Sequence, residues 1–246
     1  MQPLSFLDLD LPREDIARGS PRLRRMAGMF ALLLLPALAM AHGVDAGDAR
    51  FLQSQQGIHF WPYFYLGAKH MVTGYDHLLF LAGVIFFLYR LRDIGVYVTL
   101  FALGHSLTLI AGVWFDIPAN AYLIDAIIGL SVVYKAFENI GGFAALGLDI
   151  NTKAAVWVFG LFHGFGLATK LQELALSPQG LFGNLLAFNL GVEAGQLVAL
   201  IGIVALMNLW RYTARFHTQA VLANGALMAC GFMLMGHQLT GYFVTL

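Results

Sequence analysis

Long apolar stretches, separated by short polar or glycine-rich joints, fill the chain from residue 60 onward. A membrane-spanning helix needs about 20 predominantly apolar residues, and six of these stretches approach that length. We therefore predict an all-α, polytopic membrane protein with about six transmembrane helices in a compact bundle. Their expected bounds are 73–89, 94–114, 121–140, 154–174, 181–210 and 219–244.

A shorter amphipathic stretch at 59–72 precedes the first expected span. Trp61, Tyr63 and Tyr65 suit the headgroup level of a bilayer, where aromatic side chains are enriched. Two placements stay open: a helix lying at the interface, or a helix that dips into the protein. The predicted domains are an external segment at 42–72 with this short interfacial helix, and a six-helix transmembrane domain at 73–246.

The N-terminal region has the order of features typical of a secretory signal. Arg22, Arg24 and Arg25 precede the uncharged run 26–40, and residues 39–41 form a small-x-small cleavage site. We predict that 1–41 is an N-terminal extension and cleaved signal peptide, so that the mature chain begins at His42. An uncleaved first membrane helix is the alternative, although the apolar run is short for a full span.

Positively charged residues fall in alternate joints of the predicted bundle. The joints at 90–93, 141–153 and 211–218 carry Arg or Lys, whereas those at 115–120 and 175–180 carry neither. Cytoplasmic loops hold an excess of these residues. The pattern predicts a multi-pass protein of the inner (plasma) membrane with both mature termini outside.

The amino-acid composition excludes several classes of protein and of metal site. Charged residues make up 11% of the chain, against about 25% in an ordinary soluble domain. The balance of 14 Lys and Arg with 14 Asp and Glu gives no basic surface for nucleic acid. The single cysteine, Cys230, excludes an internal disulfide and a Cys-rich metal site. Metal chemistry would have to use His, Asp, Glu, Asn, Gln or Met.

Polar residues inside the spans are functional candidates, because burying them in a membrane is costly without a partner or water. Neutral imidazole suits nickel, cobalt, copper and zinc, and carboxylates supply charge and orientation. We expect Asp76, His77, Asp125 and His237 in the outer parts of their spans, with His105, His163 and Glu193 nearer the middle. The candidate metal ligands are His70, Asp76, His77, His105, Asp125, His163, Glu193 and His237; Asn189, Gln196 and Ser106 are supporting residues, and His42 is a candidate N-terminal chelate.

Several of these residues also have structural interpretations. Thr73-x-x-Asp76 matches a capping box with Asp in place of Glu, and His105 and His163 could each be hydrogen-bonded between helices. Gly74 is a plausible helix break. Glu138 and Lys135 are expected to reach the inner interface or to pair at i, i+3. The spacings Gly160-x3-Gly164 and Gly191-x3-Gly195 predict close helix packing.

Four ordered motifs resemble the HupE/UreJ family of membrane proteins. They are HMVTGYDHLLF at 70–80, LGHSLT at 103–108, FHGFG at 162–166 and FNLGVEAGQ at 188–196. The family is regarded as nickel or cobalt permeases associated with hydrogenase and urease. The resemblance implies that His70, Asp76 and His77 form an entry motif, and that His105, His163 and Glu193 complete a polar path. Met71 in place of proline, and a single His-Gly pair in the fourth span, resemble the second, less characterised branch.

The leading functional hypothesis is a permease or facilitator for a divalent transition metal, with nickel and cobalt as the favoured ions. An intramembrane zinc hydrolase, with Ser106 positioning substrate, and a copper-handling protein that uses His42 are the alternatives. The sequence has no phosphate-binding motif of the G-x4-G-K-[ST] form, so an ion gradient or a partner protein would supply energy. The expected partners are the lipid bilayer, the metal ion and a metal-delivery or metalloenzyme maturation protein.

Overall fold

A computed structural model describes residue 47 and the ranges 56–174 and 177–245. Within these ranges the secondary structure is helical, and no strand occurs. The predicted signal peptide and His42 lie outside the described residues. The helices are α1 (Phe60–Thr73), α2 (Tyr75–Ile85), α3 (Leu91–Trp114), α4 (Ala121–Asn139), α5 (Gly142–Ala145), α6 (Thr152–Glu173), α7 (Leu181–Arg211) and α8 (Phe216–Thr245).

Four helices are long and apolar enough to cross a membrane: α3, α6, α7 and α8, with 24, 22, 31 and 30 residues. Helix α2 is a shorter apolar helix. Helix α4 has 19 residues and carries Asp125, Lys135 and Glu138. The protein is therefore an all-helical, multi-pass membrane protein with four clear candidate spans among its described residues.

Three helix pairs form the bundle: α1 with α7, α3 with α6, and α4 with α8. Glycine lies at each crossing. A Cβ added to Gly164 on α6 would lie 2.1 Å from the carbonyl oxygen of His105 on α3, and one added to Gly129 on α4 would lie 2.7 Å from the backbone nitrogen of Met235 on α8. Since real Cβ atoms do not come so close, these backbones can approach only because the side chain is absent. The predicted glycine packing of α6 is confirmed.

Helix α1 runs parallel to α7 rather than lying apart from the bundle. A Cβ added to Gly191 would lie 1.9 Å from the carbonyl oxygen of Phe64, and one added to Gly195 would lie 2.6 Å from that of Ala68. The second predicted glycine spacing is thus also confirmed. Tyr63 is buried, whereas Trp61 and Tyr65 remain exposed. Of the two placements left open by the sequence, the structure has the helix packed into the protein.

Gly74 separates α1 from α2 with an extended backbone, at φ −72° and ψ 100°. The predicted break is confirmed, and it divides one discontinuous helix. Helix α1 covers one half of α7, from Gly57 beside Gly180 to Ala68 beside Gly195. Helix α2 ends beside the other end of α7, where Arg211 contacts Ile85. The expected first span at 73–89 falls partly on α2, the second half of a discontinuous helix that begins at Phe60, is interrupted at Gly74 and ends at Ile85.

The helix ends collect into two groups. At one end, the backbone N–H of Gly57 donates to Gln179 and the side chain of Gln172 donates to Gly112 and Ile117. At the other end, Arg211 donates to carbonyls at the end of α2, and Asn139 links α2 to α8. The joints rich in Arg and Lys therefore lie at one end of the bundle, as their charge pattern predicted.

Helix α2 is the central element of the bundle. It contacts α1, α3, α4, α7 and α8, and its buried residues include Asp76, His77 and Phe80. The main apolar core surrounds it, with Phe80, Val84 and Phe101 among its members. A side chain at the beginning of α2 is therefore held deep inside the protein.

Candidate metal site

Four imidazole rings from four helices meet around His77. The ring centroid of His77 lies 5.2 Å from that of His70 on α1, 5.6 Å from that of His105 on α3, and 4.9 Å from that of His163 on α6. His77, His105 and His163 are each at most 2% exposed. We call these four residues the imidazole cluster. The structure thus brings together four of the eight histidines in the sequence.

The helix break gives the cluster its geometry. His70 lies in the last turn of α1, and the backbone N–H of Gly74 closes that turn on the His70 carbonyl at 2.8 Å. His77 lies in the first turn of α2. The carbonyl end of a helix carries a partial negative charge that favours cations. His70 therefore lies at the electronegative end of α1, whereas His77 lies at the electropositive beginning of α2.

Two members of the cluster have ring nitrogens that make no hydrogen bond. Nε2 of His77 and both ring nitrogens of His105 are buried and lack a hydrogen-bond partner among the described residues. Such groups are rare in native proteins, because each carries the cost of lost hydration. Nδ1 of His163, in contrast, lies 2.8 Å from the carbonyl oxygen of Phe159. Hydrogen bonding between helices therefore does not account for His105.

Asp76 contacts one member of the imidazole cluster, His77. Nδ1 of His77 lies 3.0 Å from Oδ1 of Asp76. The capping-box interpretation is wrong. The N-cap of α2 is Gly74, with no side-chain capping bond, and the hydroxyl of Thr73 donates instead to the carbonyl of Lys69. Asp76 does lie in the first turn of α2, where a carboxylate is favoured by the helix dipole.

Asp125 has a different partner. Its Oδ2 lies 3.0 Å from Nζ of Lys170, and the two side chains are 4% and 17% exposed. Gly166 makes room for this pair, since a Cβ there would lie 3.1 Å from Oδ1 of Asp125. The carboxylate therefore lies about one turn of α6 from His163, neutralised by a lysine. Lys170 was not singled out from the sequence, although it lies two turns from His163 on the same face.

The remaining candidates lie apart from the cluster. His237 is exposed on α8, and in the described ranges no ring contact joins it to the four histidines. Glu193 is exposed, with Ser106 as its hydrogen-bond partner. Asn189 and Gln196 donate to Ser106 and to the carbonyl of Val98 on α3. Of the eight candidate ligands, the structure therefore brings together His70, His77, His105 and His163, with Asp76 beside His77.

The described side chains contain no group of three or more His, Cys, Asp or Glu residues already arranged to hold a metal ion. The imidazole cluster has the donor types that a divalent transition metal prefers, but its nitrogens do not converge on one point. Binding there would have to draw the rings together.

A family comparison agrees with these residues. The model for the HupE / UreJ protein family matches residues 46–246. The chain belongs to the HupE/UreJ family. No curated protein and no solved structure matches it significantly. In this HupE/UreJ protein, three of the four motifs that carry the resemblance, at 70–80, 103–108 and 162–166, supply all members of the imidazole cluster.

Other polar residues of this HupE/UreJ protein connect helices at the Arg211 end. Nζ of Lys135 lies 2.7 Å from Oε2 of Glu138, which confirms the predicted i, i+3 pair. Nδ2 of Asn139 donates to the carbonyl of Gly83 and to Oδ1 of Asn224, both at 2.9 Å. Asn224 is fully buried and was missed from the sequence, where it is a lone amide in an apolar helix.

Proposed function

We propose that this HupE/UreJ protein is a membrane permease or facilitator for a divalent transition metal, nickel or cobalt, and that the imidazole cluster binds the ion. The meeting of four imidazoles at a break in a helix is the observation that carries the proposal. Transporters commonly place substrate sites at such breaks, where the backbone ends of half-helices face a cavity. Family membership supports metal handling in general.

Depth within the bundle supports the same assignment. His163 lies 11 residues after Thr152 and 10 before Glu173, so it occupies the middle of its helix. His77 contacts it and therefore lies at mid-depth as well, rather than in the outer part of a span beginning at 73. An ion bound there would be equidistant from the two faces. Access from either side would then need only modest rearrangement.

Six crossings would complete the topology. We propose that the discontinuous helix α1–α2 and helix α4 cross the membrane beside α7 and α8, in addition to the four clear spans. The positive joints at the Arg211 end would face the cytoplasm, and both mature termini would face outward from the inner membrane. The signal peptide at 1–41 belongs to this proposal.

The proposal is tested by metal binding to the purified full-length protein in detergent. Nickel and cobalt should each bind, and His77→Ala should abolish binding while the protein elutes as the parent does in gel filtration. His237→Ala is the matched control, because this exposed histidine lies on α8 outside the cluster. Normal binding by folded His77→Ala and His105→Ala variants would refute the site.

Reconstitution separates transport from catalysis. Liposomes containing the parent protein should accumulate nickel or cobalt, whereas those with His77→Ala should not. A protein that retained one tightly bound zinc ion and moved no metal would contradict the permease. That result would favour the intramembrane hydrolase, which needs a fixed metal with three protein ligands and one open position.

A further inference from the structure

Glu193 occupies an unusual position for a carboxylate. It lies 12 residues after the first residue of α7, a helix of 31 residues, and its side chain is exposed. The surrounding surface is apolar, with Leu190 and Leu197 about half exposed. An ionised carboxylate is costly at such depth in a bilayer unless a partner or water compensates it. Something must neutralise Glu193 in the membrane.

No basic side chain does so in the described structure. The charged and titratable residues that the packed helices bring to this depth are Lys69 and His70 on α1, Asp76 and His77 on α2, and His105 on α3. The ion pairs of the described ranges do not include Glu193. Its hydrogen-bond partner is a neutral hydroxyl, that of Ser106. A mobile cation would supply the missing compensation.

Side chains with oxygen atoms that could bind such a cation lie next to Glu193. Nδ2 of Asn189 donates to Oγ of Ser106 at 2.8 Å, and Oγ of Ser106 lies 3.5 Å from Oε1 of Glu193. Asn189 lies one helical turn before Glu193 and is only 7% exposed. Its Oδ1 is buried and has no hydrogen-bond partner among the described residues. Asn189 and Glu193 therefore share one hydroxyl partner, Ser106, and bring an unpaired amide oxygen and a carboxylate to the same region of α7.

We propose that Ser106, Asn189 and Glu193 form a binding site for a small monovalent cation, a proton or sodium, separate from the imidazole cluster. Carboxylate, amide and hydroxyl oxygens are hard donors, unlike the imidazoles that suit transition metals. A proton on Glu193 would supply a donor for the amide oxygen, and a sodium ion would bind the oxygens together. The role of the site as the coupling site of a metal permease rests on the proposed function; its existence does not.

Two carbodiimides test the site, because these reagents modify protonated carboxyl groups. The full-length protein is placed in lipid vesicles without transition metal and treated with the membrane-soluble dicyclohexylcarbodiimide, and modified residues are mapped by mass spectrometry. Glu193 should be modified at acidic pH and progressively less as pH rises. Glu193→Gln should remove that signal. Glu173 is the control residue, since it is exposed at the end of α6. It should react with a water-soluble carbodiimide, and Glu173→Gln should remove that signal without changing the labelling of Glu193 by dicyclohexylcarbodiimide.

The effect of added sodium on labelling distinguishes a sodium site from a proton site. Protection of Glu193 by sodium chloride but not by choline chloride, at constant pH, identifies a sodium site; equal labelling in both salts with a pH dependence identifies a proton site. Asn189→Leu should shift the pH midpoint of labelling or weaken sodium protection severalfold. Failure to label Glu193 at any pH overturns the proposal. So does labelling that is independent of pH and sodium and unchanged by Asn189→Leu.

The outcome is independent of metal binding at the imidazole cluster, because the labelling mixture contains no transition metal. A positive labelling result with no nickel or cobalt binding would leave the cation site standing and refute the permease. If both hold, metal uptake by liposomes with Glu193→Gln should lose its dependence on the proton or sodium gradient identified by labelling. Uptake that keeps the same gradient dependence contradicts the coupling role.

Discussion

Nδ1 of His77 lies 3.0 Å from Oδ1 of Asp76, the residue directly before it. Neighbouring residues of a helix point about 100° apart, and this contact is found where α2 begins, immediately after the break at Gly74. A proton on Nδ1 that is donated to the carboxylate fixes the tautomer and leaves a lone pair on Nε2. That nitrogen has no hydrogen-bond partner in the described structure. Carboxylates orient metal-binding histidines in this way.

The substitution Asp76→Asn tests this orienting role. Loss of an orienting carboxylate typically costs about 10–100-fold in metal affinity, so nickel or cobalt affinity should fall by that factor without loss of folding. Asp93→Asn is the matched control, because Asp93 also lies in the first turn of a helix but is exposed. Calorimetric titration measures both. Unchanged affinity in Asp76→Asn would assign Asp76 a purely helix-stabilising role.

Gly74→Ala should weaken metal binding more than it weakens folding. Alanine can adopt the backbone conformation of Gly74. An added Cβ would, however, lie 3.0 Å from the carbonyl oxygen of His70, 3.1 Å from Nδ1 of His77 and 3.2 Å from Oδ1 of Asp76. The pair must therefore shift by a few tenths of an ångström. Gly95→Ala is the control, since nothing lies within 4 Å of a Cβ there. Equal metal affinity in the two variants would contradict the prediction.

Gly191→Ala should loosen α1 from α7. Its Cβ would overlap the carbonyl oxygen of Phe64, and overpacking of this kind costs about 1–3 kcal/mol. Gly202→Ala, on the same helix with open space around it, should unfold at the parental temperature or slightly above. Thermal unfolding in detergent provides the comparison. A parental melting temperature for Gly191→Ala would show that the close approach is not maintained.

Asp125→Asn should destabilise the protein, because it leaves the ammonium group of Lys170 without its partner. Removing one member of a buried pair costs about 3–5 kcal/mol, and the 17% exposure of the Lys170 side chain favours the lower part of that range. The double variant Asp125→Leu with Lys170→Met should recover most of the loss. Unfolding measurements on both test this. If the double variant is as unstable as Asp125→Asn, the loss does not arise from an unpaired charge.

Arg211→Lys should loosen the end of α2. The guanidinium donates to the carbonyls of Ile85 and Phe86 at 2.5 and 2.8 Å and lies 4.6 Å from the ring centre of Tyr89. A lysine cannot reproduce this planar contact, and an unsatisfied buried acceptor costs about 1–3 kcal/mol. Amide exchange at the end of α2 should accelerate in Arg211→Lys but not in the control Arg215→Lys. Equal exchange in both would contradict the role of Arg211.

The sequence predicted the helical class, the glycine contacts and the break at Gly74 because each has a local signal. Apolar length indicates a span, small residues at a spacing of four indicate close packing, and Gly74 interrupts a helical run. It also selected all four histidines of the imidazole cluster. His77, His105 and His163 were selected for their cost in a membrane, which is a property of the residue type and not of its neighbours. His70, just before the expected first span, was selected from the motif that resembles the family.

Other features depend on contacts between distant segments. The segment 59–72 was predicted to be a short amphipathic stretch before the first span, with its placement open, and only its packing on α7 places it inside the bundle. Lys170 and Asp125 are 45 residues apart, so their pairing has no local pattern. His237 and Glu193 were grouped with the cluster by residue type, although each occupies an exposed position.

The discontinuous helix also constrains how the protein is made. Helix α1 has 14 residues, which extend about 21 Å at ~1.5 Å per residue, less than the roughly 30 Å of a bilayer core. Its stabilising partner, α7, is synthesised much later. The hydrogen-bonded residues His59 and Asn184, which join the beginnings of the two helices, are 125 residues apart in the chain. His70 can therefore take its final position only after α7 has emerged from the ribosome. Assembly of the imidazole cluster is a late event in biogenesis, and chains truncated before α7 should lack it.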